Sequence, residues 1–442
     1  MSDMATAACN TAEKIITAKL HETDFDVSDS NFNSLTAIGD EVFYTLSSHN
    51  LDTHGRVYGY DIKTGDIRML ADLGEITGET GKKSIPQGKS HARFYRIGDK
   101  VYFSTHVAYS VRGDDAREAP GVPDGYKPYP GGKLVEYCLK TGAAKILYTA
   151  PEGEGFMTFH VDTGRSLAYL LTWPSAHFYV YDIKNGLAFD RGCNSRGGEG
   201  GRGDQFMCIC RCIVTDPRDG AAYYTNADGE ILEYRHETGV VKAVGWAHLR
   251  KDVFGRLDPH RGGHYGYNWR WILWNEKYQK FYAVHGKSGY LFTFDPKARK
   301  VEVITRIASE YCIKNGIYEY FRYGYMTLDL KPGDDDLLYY ISGYCVFKDP
   351  TPELARLAQQ TGDPDETKEG LKTEQFITLV TYHIPTGAYK DHGVIRLEDG
   401  KYPSNTQSIA IDRYGRIYTC PWIPRGDGAR TRCQLISFTC PE

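Results

Sequence analysis

The chain has 442 residues, a formal net charge of −4, a pI near 6.4 and 13% aromatic residues, 34 of them tyrosine. Such a balance leaves no basic stripe to neutralise phosphates, which argues against a nucleic-acid partner, and no apolar run approaches the ~20 residues that span a bilayer. Eleven cysteines without paired spacing suit reduced thiols. The opening Met1-Ser2-Asp3-Met4-Ala5 lacks the basic and apolar regions of a signal peptide, so the expected location is the cytoplasm, or the exterior if a signal was removed.

The first strand-like segment is Lys14-Ile15-Ile16-Thr17-Ala18-Lys19-Leu20. A unit then repeats: a hairpin with a polar tip, a strand ending in an aromatic residue, and a tight turn. The second arms of the hairpins are Glu41–Thr45, Lys100–Ser104, Ser166–Leu170, Ala222–Thr225, Lys280–Ala283, Leu338–Ile341 and Arg416–Thr419. The aromatic turns are Tyr60–Gly65, Tyr137–Gly142, Tyr181–Gly186, Tyr234–Gly239, Phe294–Arg299 and Tyr382–Gly387, with glycine supplying the positive φ in five of the six. Seven hairpins thus meet six turns, and the last approach, Gln434–Thr439, has no strand after it. Four-stranded repeats with irregular insertions read as propeller blades, and a bare edge on the last would invite aggregation. The sequence therefore predicts an all-β fold, a seven-bladed β-propeller closed by the N-terminal strand completing the C-terminal blade, as one domain over residues 1–442.

In such a fold the connections from the last strand of one blade to the next, and from the second to the third strand within a blade, emerge on one face. Here these connections carry the unusual residues. Lys89-Ser90-His91 opens blade two and Thr105-His106 closes its hairpin, so the two histidines are expected side by side at one rim. The same rim collects His49, Trp173, His177, Asn226, His264, Tyr265, Asn268, Arg270, His285, Arg322, Tyr323, Tyr325, Asn405 and Gln407. Insertions at 107–131, 194–205, 249–263 and 345–375, the last with a short helix over Pro352–Ala358, favour this side too, and long loops are uncommon unless functional.

A lone histidine is more often structural than catalytic; the shared rim and polar surroundings of His91 and His106 tilt that pair toward function. The run Gly263–Trp271 fits stacking within an inner strand as well as ligand contact. Cys208, Cys210 and Cys212 lie successively along a strand, unlike the converging ligands of a thiolate metal site, and read as buried packing. The glycine-rich loop at 194–205 has no GK[ST], and no G-x-S-x-G elbow occurs. Carboxylates are scarce at the rim, against the two facing acids of a glycoside hydrolase. A His, Tyr, Arg and Asn inventory instead suits removal of a carbon-bound proton beside a carboxylate. Arg or Asn neutralises the carboxylate, a neutral His or Tyr takes the proton, and a second one protonates the leaving oxygen. That is β-elimination from a uronic acid.

At these residues the chain resembles the seven-bladed propeller polysaccharide lyases, the group of ulvan lyases and L-rhamnose-α-1,4-D-glucuronate lyases. The likeness rests on Lys89-Ser90-His91 with Thr105-His106 and on the aromatic–Arg strand from Tyr265 to Trp271. It implies a polysaccharide or oligosaccharide lyase acting at a glucuronate, with His91, His106, Tyr265 and Arg270 catalytic. The expected substrate contacts are His177, Arg211, His264, Asn268, His285, Arg322, Tyr325 and Asn405. The expected partner is a uronate-containing glycan, with no nucleic acid and no membrane, bound by a monomer. No cofactor is required. Oligogalacturonate lyases are similar propellers with a His-rich metal site, so a divalent metal stays open. A non-catalytic propeller that binds a protein or glycan at the same rim is the alternative from another class.

Overall fold

The computed structural model describes residues 14–109, 122–260, 266–286, 288–315, 327–347, 372–425 and 431–441. Their strands form five four-stranded antiparallel blades and one eight-stranded sheet, besides a two-stranded ribbon of Trp422–Pro424 with Thr431–Cys433. Blade one is built from Leu35–Ile38, Glu41–Leu46, Arg56–Asp61 and Ile67–Asp72, and blade two from Tyr95–Ile97, Lys100–Ser104, Lys133–Cys138 and Ala144–Thr149. Blade three begins at Gly155–Asp162, blade four at Val214–Thr215 and blade five at Trp269–Asn275.

The repeated turn arises from a local device. Gly65, Gly142, Gly186, Gly239 and Gly387 each donate their N–H to the carbonyl four residues back, at 2.8–2.9 Å, and each has φ between 67° and 80°. Left-handed backbone at that point suits glycine. Arg299 takes the corresponding position at φ 53° without that freedom. The core is aromatic within and between blades: Tyr44 stacks on Tyr58 inside blade one and Phe281 on Phe294 inside blade five, while Phe178 of blade three stacks on Tyr224 of blade four. Offset ring pairs of this kind contribute about 0.5–1.5 kcal/mol each beyond their buried area.

The expected seven-bladed ring is overturned by the last sheet. Its strand order is Leu328–Lys331, Asp334–Phe347, Lys372–His383, Ala388–Leu397, Ile15–His21, Leu435–Thr439, Arg416–Thr419 and Ala410–Ile411, one continuous eight-stranded unit where two blades were expected. The N-terminal strand causes the merger by dividing its two edges. Ile15–Ala18 pair in parallel with Val394–Leu397, whereas Lys19–His21 pair antiparallel with Ser437–Leu435. The strand therefore bridges two sets of strands instead of finishing one. The two edge strands of this sheet, Leu328–Lys331 and Ala410–Ile411, touch each other, so the sheet nearly closes. They also meet the first strands of blades five and one respectively. The fold is all-β, five blades with a nearly closed eight-stranded sheet.

Gly393 makes the merger possible. Its φ is 102°, and a Cβ there would lie 2.0 Å from the carbonyl oxygen of Lys14, the atom that accepts the N–H of Val394 at 3.0 Å. Gly393→Ala is therefore expected to destabilise the protein by more than ~1 kcal/mol, and deletion through His21 by more still. Thermal melting of both variants checks this; an unchanged midpoint in either contradicts the bridging role.

Candidate functional site

The two blade-two histidines meet as the sequence suggests. Lys89 and His106 form an isolated antiparallel bridge, with Lys89 N–H donating to the His106 carbonyl at 3.1 Å and His106 N–H returning the bond at 2.7 Å. The His91 and His106 rings lie edge to face, 5.7 Å between centroids. Gln87, fully buried, fixes the arm beneath them. Its side-chain oxygen accepts from the Thr105 hydroxyl at 2.6 Å and from the Tyr129 hydroxyl, and its amide donates to the Gly131 carbonyl at 3.0 Å. Gly155 supplies the seat: a Cβ there would come within 2.1 Å of His106 Nδ1.

Other blades complete the mouth. Phe32 stacks on His91 at 5.0 Å, and Trp173 meets His106 edge-on at 5.6 Å. Trp173 Nε1 donates to Glu199 at 2.9 Å, and Glu199 is ion-paired with Arg211 at 2.6 Å. Beyond Phe32, Asp29 accepts from the backbone N–H of His49 at 2.8 Å and lies 2.7 Å from its Nδ1. Phe32, Asp29 and Glu199 escaped sequence reasoning. Glu199 had one visible signal, as the single acid in the glycine-rich run 197–203, and that loop turns out to be two short 3-10 turns around it.

Electrostatics set the protonation states. Burial pushes both His91 and His106 well below the ordinary histidine value, and Lys89 and Arg211 add to it by repulsion. Arg270 contributes to His91 as well. Both imidazoles are thus neutral near pH 7, and their Nδ1 atoms are buried without a hydrogen-bond partner among the described residues. Burial raises Glu199, but Arg211 and the donors Ile209 N–H and Cys208 Sγ outweigh it, so its carboxyl ends below the usual range.

The remaining expected residues divide. Arg270 is buried at 1% exposure; with the Asn33 amide oriented to satisfy both neighbours, Asn33 accepts from Arg270 Nη1 at 3.2 Å and donates to the Gln407 carbonyl at 2.6 Å. Asn405 is buried, with φ 38°. Asn268 is a buried strut, donating to the Cys208 carbonyl and accepting from Thr225. His285 stacks on Phe254 at 4.2 Å and bonds Ser288. His177 pairs with Asp190 at 2.9 Å and Asn226 with Glu230 at 2.7 Å. Cys208, Cys210 and Cys212 are buried, as expected, but they lie in the segment before the strand Val214–Thr215 and not along a strand. His264, Tyr265, Arg322, Tyr323, Tyr325 and the helix expected at 352–358 lie outside the described residues.

Beneath the mouth lies a cavity of about 320 Å³ whose walls include Asn33, Arg93, His160, Arg211, Trp271 and Asp329. Among the described residues no group of three or more His, Cys, Asp or Glu side chains is placed to hold a metal ion, so the metal-dependent variant finds no ligand set there. No described helix is long and apolar enough to cross a membrane.

No family model matches the chain, and no curated protein does. Among solved structures, one named "Crystal Structure of Mitotic Checkpoint Complex" is similar over 96% of this chain and 95% of its own, at 8% identity and a TM-score of 0.49. A likeness of this degree implies nothing about what the chain binds. The likeness to seven-bladed polysaccharide lyases is overturned, because the described strands form five blades and an eight-stranded sheet, and neither a family model nor a curated protein brings lyase or uronate chemistry to this chain.

Buried neutral histidines have a consequence for stability. Burial lowers His21, His160 and His392 to about 4 and His285 to about 3, alongside His91 and His106. The unfolded chain takes up protons on these groups near 6.5 while the folded chain does not. The contribution of these histidines to stability is therefore full above about pH 6.5 and falls as pH drops toward 4. Melting midpoints across that range check the sign; a flat profile contradicts it.

Proposed function

We propose that this mouth is a proton-transfer site for a carboxylate-bearing ligand, with β-elimination from a uronate-containing saccharide as its reaction. The observation that carries it is a pair of neutral imidazoles, 5.7 Å apart, in a mouth that also holds Lys89 and Arg211. Neutral imidazole can accept a proton from the carbon beside a carboxylate, and nearby cations lower the cost of the charge that develops on the carboxylate oxygens. The C–H electron pair becomes the new C=C bond as the β C–O bond breaks. The captured proton is then available to the leaving oxygen, so the imidazole pair ends the cycle neutral.

Substrate orientation is supported by the stiffness of the wall. His106 is clamped by the bridge to Lys89 and seated on Gly155, while His91 is held against Phe32. Arg270 supports from within, keeping His91 uncharged, and Arg cannot itself act as a base because it does not deprotonate in proteins.

The test is a panel of uronate oligosaccharides, followed by the near-ultraviolet absorbance of an unsaturated product. His91→Ala and His106→Ala should each lower the rate about 10²- to 10⁴-fold with the melting midpoint retained. Gly155→Ala should lower it as well, by displacing the His106 ring. Both histidine variants turning over the substrate at the wild-type rate would contradict the reading, and the same mouth would then be a binding surface.

A further inference from the structure

We infer that the ammonium of Lys89 is the seat of the ligand's carboxylate, which makes the ligand a sugar acid whose anionic group is gripped by this one side chain. The inference rests on the proposed reading of the mouth and names the contact that reading leaves unassigned. Three observations carry it. The arginines of the mouth are already engaged: Arg211 with Glu199 and the Ile209 carbonyl, both at 2.6 Å, and Arg270 with Asn33. Lys89 Nζ sits 4.1 Å over the Phe32 ring and has no carboxylate or carbonyl partner among the described residues. Its backbone is locked to that of His106, so the ammonium stands on the arm that carries the histidine pair.

The neighbouring acids Asp29 and Glu199 favour the charged lysine at a distance but make no ion pair with it. Asp29 is committed to His49 and Glu199 to Arg211. A partly desolvated ammonium without an anion is costly to hold, and a bound carboxylate offsets that cost with a charge-assisted hydrogen bond. The groups facing Lys89 are Arg211, His91, His106, Asp29 and Glu199. Burial first, then Arg211, bring its pKa down to about 7. A carboxylate beside it raises that value, so binding takes up a proton, and affinity falls as pH rises above about 7.

The experiment is calorimetric titration of wild type, Lys89→Gln and Lys89→Arg with sodium D-glucuronate and sodium D-galacturonate, with D-glucose as the neutral control, from about pH 6 to about 8. At least one sugar acid should bind wild type, glucose should not, and affinity should decline with rising pH. Lys89→Gln should weaken binding about tenfold or more, and Lys89→Arg should move the pH dependence out of this range, because Arg keeps its charge. Lys89→Gln with unaltered affinity overturns the inference, as does the absence of sugar-acid binding by wild type. Where Lys89→Gln fails to fold, wild-type affinity that is independent of pH overturns it. Loss of binding in Lys89→Gln, in a protein that eliminates no uronate, keeps the inference and removes the elimination reading. Elimination at the wild-type rate and affinity in Lys89→Gln does the reverse.

Discussion

The guanidinium of Arg93 is the point on which the inner strands converge. It lies 4.6 Å over Trp271 of blade five, is ion-paired with Asp329 at 3.4 Å, and donates to the Ile409 carbonyl at 3.3 Å. One side chain from blade two thus reaches blade five and both edges of the eight-stranded sheet. Asp329 is partly buried, and desolvation raises its carboxyl, with Arg93 opposing the rise. Removing the arginine would leave the Asp329 carboxylate without its counter-charge, held only by the backbone N–H groups of Leu330 and Ile411, a loss on the order of a few kcal/mol. A lysine would not replace it, because a point charge cannot serve a ring face, a carboxylate and a carbonyl together. His91 stands two residues before Arg93 in the chain, so the mouth inherits its position from this anchor.

From that anchor the chemistry of the mouth follows by exclusion of water. Phe32 and Trp173 wall the histidines, and desolvation favours their neutral form. Positive neighbours reinforce the same outcome, so two neutral imidazoles share a small space with a lysine whose pKa is brought down to about 7. Glu199 is the counterweight. It holds Arg211 in place and takes the Trp173 indole N–H, which ties the third and fourth blades to the wall of the site.

How much of this was legible in the sequence depended on range. The glycine turns and the hairpins were readable because each is set by a few consecutive residues. The His91–His106 meeting was readable because a single hairpin joins them. The pairing of Ile15–Ala18 with Val394–Leu397 was not, since hydrophobic alternation marks a strand's faces and says nothing about its edges. That one unseen edge turned an expected seven-bladed ring into five blades and an eight-stranded sheet. Phe32 against His91, and Glu199 against Trp173, cross between blades, where residue spacing carries no signal. Arg270 was expected to be catalytic because it stands among aromatics; its bond to the buried Asn33 joins distant parts of the chain, and no residue spacing announces it.

The account turns on proton removal beside a carboxylate, and the direct measurement is loss of that carbon-bound proton. Uronate oligosaccharides incubated with the protein in deuterated water, followed by proton NMR, report on the hydrogen next to the carboxylate whether or not the glycan is cleaved. The account predicts that this signal disappears, by elimination or by exchange, with wild-type protein and persists with the His91→Ala, His106→Ala double variant. Persistence of the signal with folded wild-type protein across glucuronate-, galacturonate-, iduronate- and mannuronate-containing oligosaccharides would contradict it.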